Sequence, residues 1–251
     1  MSTTVKGASR AHARFPWLTL VLAGLVFAAL IGLGTWQLQR LQWKQALIAT
    51  IDERTKAEPL SLEDVELQYG RTGDVDYMPV VVSGEFIHEA ERHFFATWQG
   101  ASGYYVYTPL RLEEGRSVFV NRGFVPFDKK DASTRQQGQV TGVQTVKGLA
   151  RNPLPGKPSA MLPDNDPDKN IFFWKDLRAM AVLSGLDVDR GVVPFFIDAD
   201  SNPNPGGLPQ GGVTMIDMPN SHLQYAVTWY GLAAALAGVL GIWLYRRRKP
   251  V

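Results

Sequence analysis

The stretch FPWLTLVLAGLVFAALIGLGTW, residues 15–36, decides the fold class, because it has no charged side chain and only two threonines as polar residues. About 20 apolar residues in a helix cross the hydrocarbon core of a bilayer. We therefore predict a transmembrane helix at residues 15–38. Lys6, Arg10 and Arg14 before it also resemble the start of a signal peptide, but the apolar stretch is too long for one and no A-x-A-like cleavage site follows.

A second apolar stretch, predicted as a transmembrane helix at residues 222–245, ends directly at a cluster of basic residues. The cluster consists of Arg246, Arg247, Arg248 and Lys249. Aromatic residues mark the ends of both stretches, Trp17 and Trp36 in the first and Tyr225 and Tyr245 in the second. Each pair is separated by about 30 Å along a helix, which matches the two interfaces of a bilayer.

Small residues recur at every fourth position in both predicted spans. They are Gly24, Ala28 and Gly32 in the first span, and Gly231 with Ala235 and Ala234 with Gly238 in the second. Such a face allows two helix backbones to approach closely, but small residues are also common in membrane helices generally. The two alternatives are that the helices pair through these faces, or that the small residues have no specific role.

The distribution of charge predicts the orientation. Of 26 Lys and Arg, seven lie in the tails 1–14 and 246–251, and all 24 Asp and Glu lie between the tails, where the net charge is therefore −5. By the positive-inside rule, the C-terminal tail is cytoplasmic. Arg40 and Lys44 balance the basic residues before the first span, but two spans place the N-terminal tail on the same side. Residues 39–221 then form a periplasmic or intermembrane-space domain. A basic excess that is confined to the tails predicts contact with membrane lipids and no nucleic-acid partner.

The domain between the spans is predicted to be mostly β structure. Short runs rich in β-branched and aromatic residues, separated by turn residues, indicate strands at 80–86, 92–98, 104–112, 117–125 and 140–150, with two late strands at 193–197 and 213–216. Helical spacing continues the first span through 39–56, a loop begins near Pro59, and one further helix is predicted at 174–184. The fold class is thus an α+β membrane protein, in which two transmembrane helices flank a mostly antiparallel sheet or partly closed barrel with a few helices.

Composition leaves few residues for catalysis. Cysteine is absent, which excludes disulfides, thiolate metal sites and thiol nucleophiles. The sequence contains no G-x-S-x-G motif and no glycine-rich phosphate loop. We therefore predict that the protein is not an enzyme, with a membrane-tethered enzyme whose site lies in the β-rich domain as the competing class.

Two groups of residues resemble metal sites without completing one. The first is a pair of alternating acidic runs, which lack the glycine and the acidic residue that a calcium loop requires and are interpreted as turns. These runs are Asp164, Asp166 and Asp168, and Asp198, Asp200 and Asn202. The second is His88 and His93 with nearby glutamates, whose odd spacing places the two imidazoles on opposite faces of a strand, so we predict a solvated hairpin end.

His222 lies at the start of the second span, where Asn220 or Ser221 can cap the helix. A neutral imidazole at a membrane boundary is a candidate axial ligand for haem iron. Trp229, seven residues later, falls on the same helical face two turns deeper and could pack on such a ring. The alternative is an interfacial histidine followed by a tryptophan of the aromatic belt.

Short segments in both spans and between them match the signatures of one known family. The segment HLQYAVTWYGL at 222–232 matches almost letter for letter, and GTWQLQR at 34–40 and VNRGFVP at 120–126 match in the same order. Further matches are Thr134-Arg135-Gln136, Asp176-Leu177, Ala179-Met180-Ala181, Phe196-Ile197-Asp198-Ala199, and the pairs Gly206-Gly207 and Gly211-Gly212. Over nearly its whole length, the chain resembles the Surfeit locus protein 1 (Shy-type) family of cytochrome c oxidase assembly factors. It departs from the pattern at Ser221, often Asn or acidic in the family, and at Phe124, often Trp.

The resemblance implies a chaperone that promotes maturation of haem-copper cytochrome c oxidase around haem a insertion into the largest subunit. In bacterial members a haem a binding role is attributed to the second-span histidine, which corresponds to His222, and Trp229 is implicated as well. The implied cofactor is haem a, held transiently, and the implied partners are the largest oxidase subunit, the machinery of haem a synthesis and membrane lipids. The alternative is a scaffold that stabilises an oxidase intermediate without binding haem.

The N-terminal residues are basic and free of acids, as in a transit peptide, but the segment is short for one. We therefore expect a bacterial inner-membrane protein with two spans and both termini in the cytoplasm, and the mitochondrial inner membrane is the second choice.

Overall fold

The computed structural model of the chain describes residues 17–216 and 218–248. The chain divides into two compact units, one made of residues up to 48 and from 218 onward and the other of residues 49–217. The helices are α1 Trp17–Thr55, α2 Leu62–Thr72, α3 Leu177–Leu183 and α4 His222–Arg248. The strands are β1 Leu60–Ser61, β2 Pro79–Phe86, β3 Arg92–Trp98, β4 Ala101–Arg111, β5 Ser117–Pro126, β6 Val143–Arg151 and β7 Val192–Ala199. Short 3-10 helices lie at His88–Ala90, Phe127–Lys129, Ala132–Gly138 and Pro205–Gly207.

Helices α1 and α4 are the two predicted spans, and both are long and apolar enough to cross a membrane. The helical continuation predicted after the first span is part of α1, which has 39 residues. Helix α4 has 27 residues and includes the first three arginines of the C-terminal basic cluster. The basic tail predicted at 1–14, and the end of the C-terminal tail from Lys249, lie outside the described residues.

Five strands of the second unit close into a barrel. The strands follow the order β2, β6, β7, β5 and β4, and a further pairing between β2 and β4 closes the ring. Only β5 and β7 are parallel within this ring, and β1 and β3 extend it at β2 and β4. The expected sheet or partly closed barrel is therefore a closed barrel flanked by two membrane-spanning helices, and the α+β class is confirmed.

Closure depends on Gly84, where β2 meets β4. Glu85 pairs with Arg111 and Phe86 pairs with Leu110, which brings the two backbones together. A Cβ atom at Gly84 would lie 2.3 Å from the carbonyl oxygen of Arg111, so only glycine fits without displacing the backbone.

Replacing Gly84 by alanine is expected to lower the free energy of unfolding of the barrel by about 1–3 kcal/mol, because the added methyl group overpacks the closure. Urea unfolding of the detergent-solubilised protein, followed by near-ultraviolet circular dichroism, measures this change. Gly70→Ala is the control, since Gly70 lies within α2 with open space around its Cβ position. It is expected to be neutral or to stabilise by up to about 1 kcal/mol, and equal losses in both variants would contradict the role of Gly84.

Strand β5 is buried along nine of its ten residues. One of its faces, with Val118 and Val120, belongs to the core of the barrel. Its other face carries Phe119, which packs in a second cluster with Phe172 and with Met180 of α3. A strand covered on both sides reads as a nearly continuous apolar run, and this explains the strength of its signal in the sequence.

Two predicted segments differ from the structure. The loop expected from Pro59 instead contains β1 and α2, whose N-terminus is capped by Ser61 accepting from the backbone N–H of Asp64. The strand expected at 213–216 is absent. The backbone N–H of Gly212 donates to the carbonyl of Ala199, and Thr214 Oγ1 donates to Asp198 Oδ2 at 3.0 Å, so these bonds hold the segment at the end of β7 without a strand ladder.

Candidate functional site

The site predicted at the start of the second span is built on the first turn of α4. Helix α4 begins at His222, whose backbone N–H donates to the side-chain oxygen of Asn220 at 3.4 Å. Asn220 is thus the residue whose side chain caps the helix, while Ser221 contributes only its backbone carbonyl, which accepts from Tyr225. The cap fixes where the helix starts and therefore places the half-buried imidazole of His222 at its first position.

The ring of His222 is oriented by a residue of the other helix. Gln37 of α1 lies with its Oε1 2.7 Å from Nδ1 of His222. An amide oxygen can only accept, so Nδ1 carries the proton and donates, and Nε2 of the neutral ring holds the free lone pair. Gln37 is only 9% exposed, although it lies near the end of an apolar span. Gln37 was not among the predicted site residues; a glutamine inside the predicted span 15–38 is the signal that would have found it.

Helices α1 and α4 contact each other next to the pair of Gln37 and His222. A Cβ atom at Gly34 would lie 2.9 Å from the ring of Tyr230, so the ring packs directly on the backbone of α1. The hydroxyls of Thr35 and Tyr230 are 3.0 Å apart. On α4, Ala226 and Ala233 are buried on the face that carries His222 and Tyr230.

The small-residue faces predicted for pairing are not at this contact. The Cβ positions of Gly24, Gly32, Gly231 and Gly238 have no atom of another helix within 4 Å among the described residues. Pairing through these faces is therefore wrong for this helix pair, because Gly34 provides the close approach and Tyr230 fills it.

Trp229, the second predicted site residue, is half-buried on α4. Seven residues of helix place it about 10 Å from His222 along the axis and on nearly the same face. The structure thus brings the two residues onto one side of α4, at two depths. Leu223 and Val227 of the same two turns are exposed apolar side chains on another face of α4.

The donor set at His222 suits haem better than a bare metal ion. Within the described residues, no group of three or more His, Asp or Glu side chains could hold a metal. Iron in haem already has four ring nitrogens and needs only an axial ligand, which one imidazole supplies. The lone pair of Nε2 and the half-buried ring of Trp229 on the same side of α4 therefore fit a hydrophobic macrocycle.

His93, expected at a solvated hairpin end, instead belongs to a buried ionic cluster in the barrel unit. His93 Nε2 donates to Glu91 Oε1 at 3.1 Å, and Arg135 Nη2 donates to the same oxygen. Asn170 donates to Nδ1 of His93 at 3.1 Å, so both ring nitrogens are engaged. The solvated interpretation is wrong, because Arg135 compensates a carboxylate that would otherwise be too costly to bury.

The charge of Glu91 is maintained by its partners. Burial raises the pKa of the Glu91 carboxyl, but the hydrogen bonds from His93 and Arg135 outweigh burial and hold the pKa below its ordinary value. Glu91 is therefore ionised in the folded protein at neutral pH. The cluster joins β3 to the 3-10 helix Ala132–Gly138, since Arg135 also donates to the backbone of Lys129 and Lys130.

A second buried cation, Arg122 of β5, fastens the neighbouring loops. It donates to the carbonyl of Gly138 and, at 3.2 Å, to Asn204 Oδ1, and its guanidinium lies 4.6 Å from the centroid of the Phe86 ring. Burial lowers the pKa of Arg122 to about 10. His88 Nε2 donates to Val140 at 2.7 Å, which leaves Nδ1 to accept from Arg122 at 3.4 Å. These contacts indicate a structural role.

The alternating acidic runs form turns. The carboxylate of Asp166 accepts from the backbone N–H of Lys169 at 3.0 Å, and that of Asp200 accepts from the N–H of Asn202 at 3.1 Å. The turn interpretation is confirmed for Asp166 and Asp200, whose oxygens are used within their own loops. It is wrong for Asp198, which lies in β7 and whose buried carboxylate accepts from Asn121 and Thr214.

Three features define the class of protein: helices α1 and α4, the barrel, and the imidazole of His222. It is a protein with two helices that are long and apolar enough to span a membrane, a closed β-barrel domain between them in the chain, and a histidine at the start of the second helix whose Nε2 has no hydrogen-bond partner among the described residues. The chain belongs to the SURF1 family, whose profile matches residues 24–234.

Individual relatives cover most of the chain. It is 38% identical to Surfeit locus protein 1 of Rattus norvegicus, over 93% of this chain and 76% of that protein. It is 37% identical to Surfeit locus protein 1 of Homo sapiens, over 87% and 74%. A SURF1-like protein of Monosiga brevicollis is 34% identical over 99% of this chain and 93% of that protein.

Proposed function

We propose that the protein is an assembly factor for haem-copper cytochrome c oxidase that promotes delivery or insertion of haem a into the largest subunit, with the haem held through His222. Membership of the SURF1 family supports the assembly role. The observation that carries the haem role is the hydrogen bond from His222 to Gln37, because it leaves Nε2 with a free lone pair. Trp229 supplies an aromatic surface on the same side of α4.

In this proposal haem a is a cargo and the protein is not an enzyme. A carrier must bind its cargo firmly enough to keep it from water and weakly enough to release it. A single neutral imidazole meets both needs, since one axial ligand is easier to exchange than the paired ligands of an electron-transfer haem. The chain provides the imidazole, orients it through Gln37, and offers apolar helix surface to the macrocycle.

The proposal also assigns location and partners. The arginines at the end of α4 support a cytoplasmic C-terminus by the positive-inside rule, and two spans place the N-terminus on the same side. A bacterial inner membrane is favoured, with the mitochondrial inner membrane second. The partners are the largest oxidase subunit, the machinery of haem a synthesis and anionic lipids, with no nucleic acid.

A scaffold that stabilises an oxidase intermediate without binding haem is the second candidate, and an aromatic patch on the barrel unit favours it. Phe95 is 39% exposed and Phe127 is 49% exposed, with their ring centroids 6.0 Å apart. Phe173 adjoins Phe95 at 5.8 Å. Exposed apolar side chains that cluster in this way are typical of protein–protein contacts.

Complementation of a strain that lacks its own copy separates the two functions. The delivery function predicts that His222→Ala, expressed at the wild-type level, fails to restore haem a in the purified oxidase. The scaffold function predicts that His222→Ala restores it fully, whereas Phe95→Ser with Phe127→Ser does not. Full restoration by His222→Ala would therefore overturn haem delivery through this residue.

A further inference from the structure

Gln37 is a buried polar side chain that uses its amide oxygen on His222. It lies on α1, while His222 lies on α4, 185 positions later in the chain. The candidate haem ligand and the residue that accepts its hydrogen bond therefore belong to different helices. A glutamine in an apolar span costs free energy unless its amide is paired. The pairing found here is directed at Nδ1 of the imidazole and not at a backbone group.

Simple cross-linking of the two helices does not account for this pairing. The hydroxyl pair of Thr35 and Tyr230 already joins α1 to α4, and the Tyr230 ring packs on Gly34. Neither of these contacts touches the imidazole. The Gln37 contact differs because it sets which ring nitrogen is protonated.

The group that accepts the hydrogen bond from Nδ1 determines how strong a ligand Nε2 is. A histidine that donates its Nδ1 proton has a more basic Nε2, and a carboxylate acceptor increases this effect beyond what a neutral carbonyl achieves. An amide acceptor therefore keeps the ring in the ligating tautomer while leaving Nε2 a ligand of intermediate strength. That combination suits a cargo that must be released.

We infer that Gln37 is a positioning residue, which fixes the tautomer and orientation of His222 and thereby sets how strongly Nε2 binds haem iron. This inference rests on the proposed function. Groups that orient a metal-ligating histidine typically contribute 10- to 100-fold to affinity. We expect Gln37→Leu to weaken haem binding about tenfold or more, and Gln37→Glu to tighten it and make the midpoint potential of the haem more negative.

The test compares four full-length proteins in detergent: wild type, Gln37→Leu, Gln37→Glu and Tyr230→Phe. Tyr230→Phe is the matched control, since it removes an interhelical hydrogen bond and keeps the ring against Gly34. The first readout is nitrogen NMR of haem-free, histidine-labelled protein at pH 8, with the His222 signal assigned from His222→Ala. The second is titration with haem a, followed in the Soret band.

The inference predicts a single Nδ1-protonated tautomer in wild type and in Tyr230→Phe, and a mixture of tautomers in Gln37→Leu. It predicts that only the Gln37 variants change haem affinity. Unchanged affinity in Gln37→Leu, or an equal loss in Tyr230→Phe, would overturn the inference while the proposed function stands. A wild-type protein that takes up no haem would overturn the proposed function, and the inference with it.

Discussion

Replacing His222 by alanine is expected to lower the affinity for haem a by at least about 100-fold, because a ligand contributes no less than the groups that orient it. The free Nε2 of His222 is the nitrogen available to the iron, since Nδ1 is used on Gln37. Replacing Trp229 by leucine is expected to cost only about fivefold, which corresponds to the loss of one aromatic contact of about 1 kcal/mol.

Titration of the detergent-purified proteins with haem a, followed by the Soret absorbance, measures both losses. Added imidazole should restore the histidine-type spectrum in His222→Ala, because it refills the position that the side chain leaves. Thermal unfolding of the barrel should be unchanged, since His222 belongs to the other unit. Equal haem affinity in wild type and His222→Ala would contradict the assigned role.

Replacing Arg135 by leucine is expected to lower the free energy of unfolding of the barrel by about 3–5 kcal/mol. The substitution leaves Glu91 buried and without its guanidinium partner, and breaking a buried ion pair in this way is far more costly than losing an exposed one. Lys56→Ala is the control. It removes an exposed pair with Asp52 and should cost less than about 0.5 kcal/mol.

The same cluster predicts how stability depends on pH. The pKa of Glu91 is lower in the folded chain than the ordinary value of 4.5. The resulting stability is complete above about pH 4.5 and is lost as pH falls through the lower, folded-state pKa. Urea unfolding of wild type and Glu91→Gln between pH 6 and pH 3 measures the difference. Wild type should lose more stability than the variant over this range, and parallel curves would show that Glu91 does not titrate as proposed.

Elements defined by local periodicity were predictable from the sequence. Both spans have enough consecutive apolar residues to be recognised, and β3 has the predicted bounds. Helix α2 was missed although its signals were present: Ser61 precedes it as a cap, and Val65 and Tyr69 have helical spacing. The loop residues around Pro59 outweighed those signals.

Contacts between distant segments were not predictable. Closure of the barrel requires Glu85 to pair with Arg111, between strands that are not consecutive in the chain. Glu91 and Arg135 are 44 residues apart, so the pattern around Glu91 resembled an exposed charged turn. The position of His222 was predictable from its span, whereas the acceptor that sets its tautomer lies on the other helix.

The most direct test of haem handling is an optical spectrum of the full-length protein, purified in detergent from cells that synthesise haem a. Wild type and His222→Ala are compared at equal concentration, and both must be monodisperse. We expect a Soret band and an α band in wild type and their loss in His222→Ala. Haem-free wild-type protein, from cells shown to contain haem a, would contradict it and favour the scaffold function of the barrel unit.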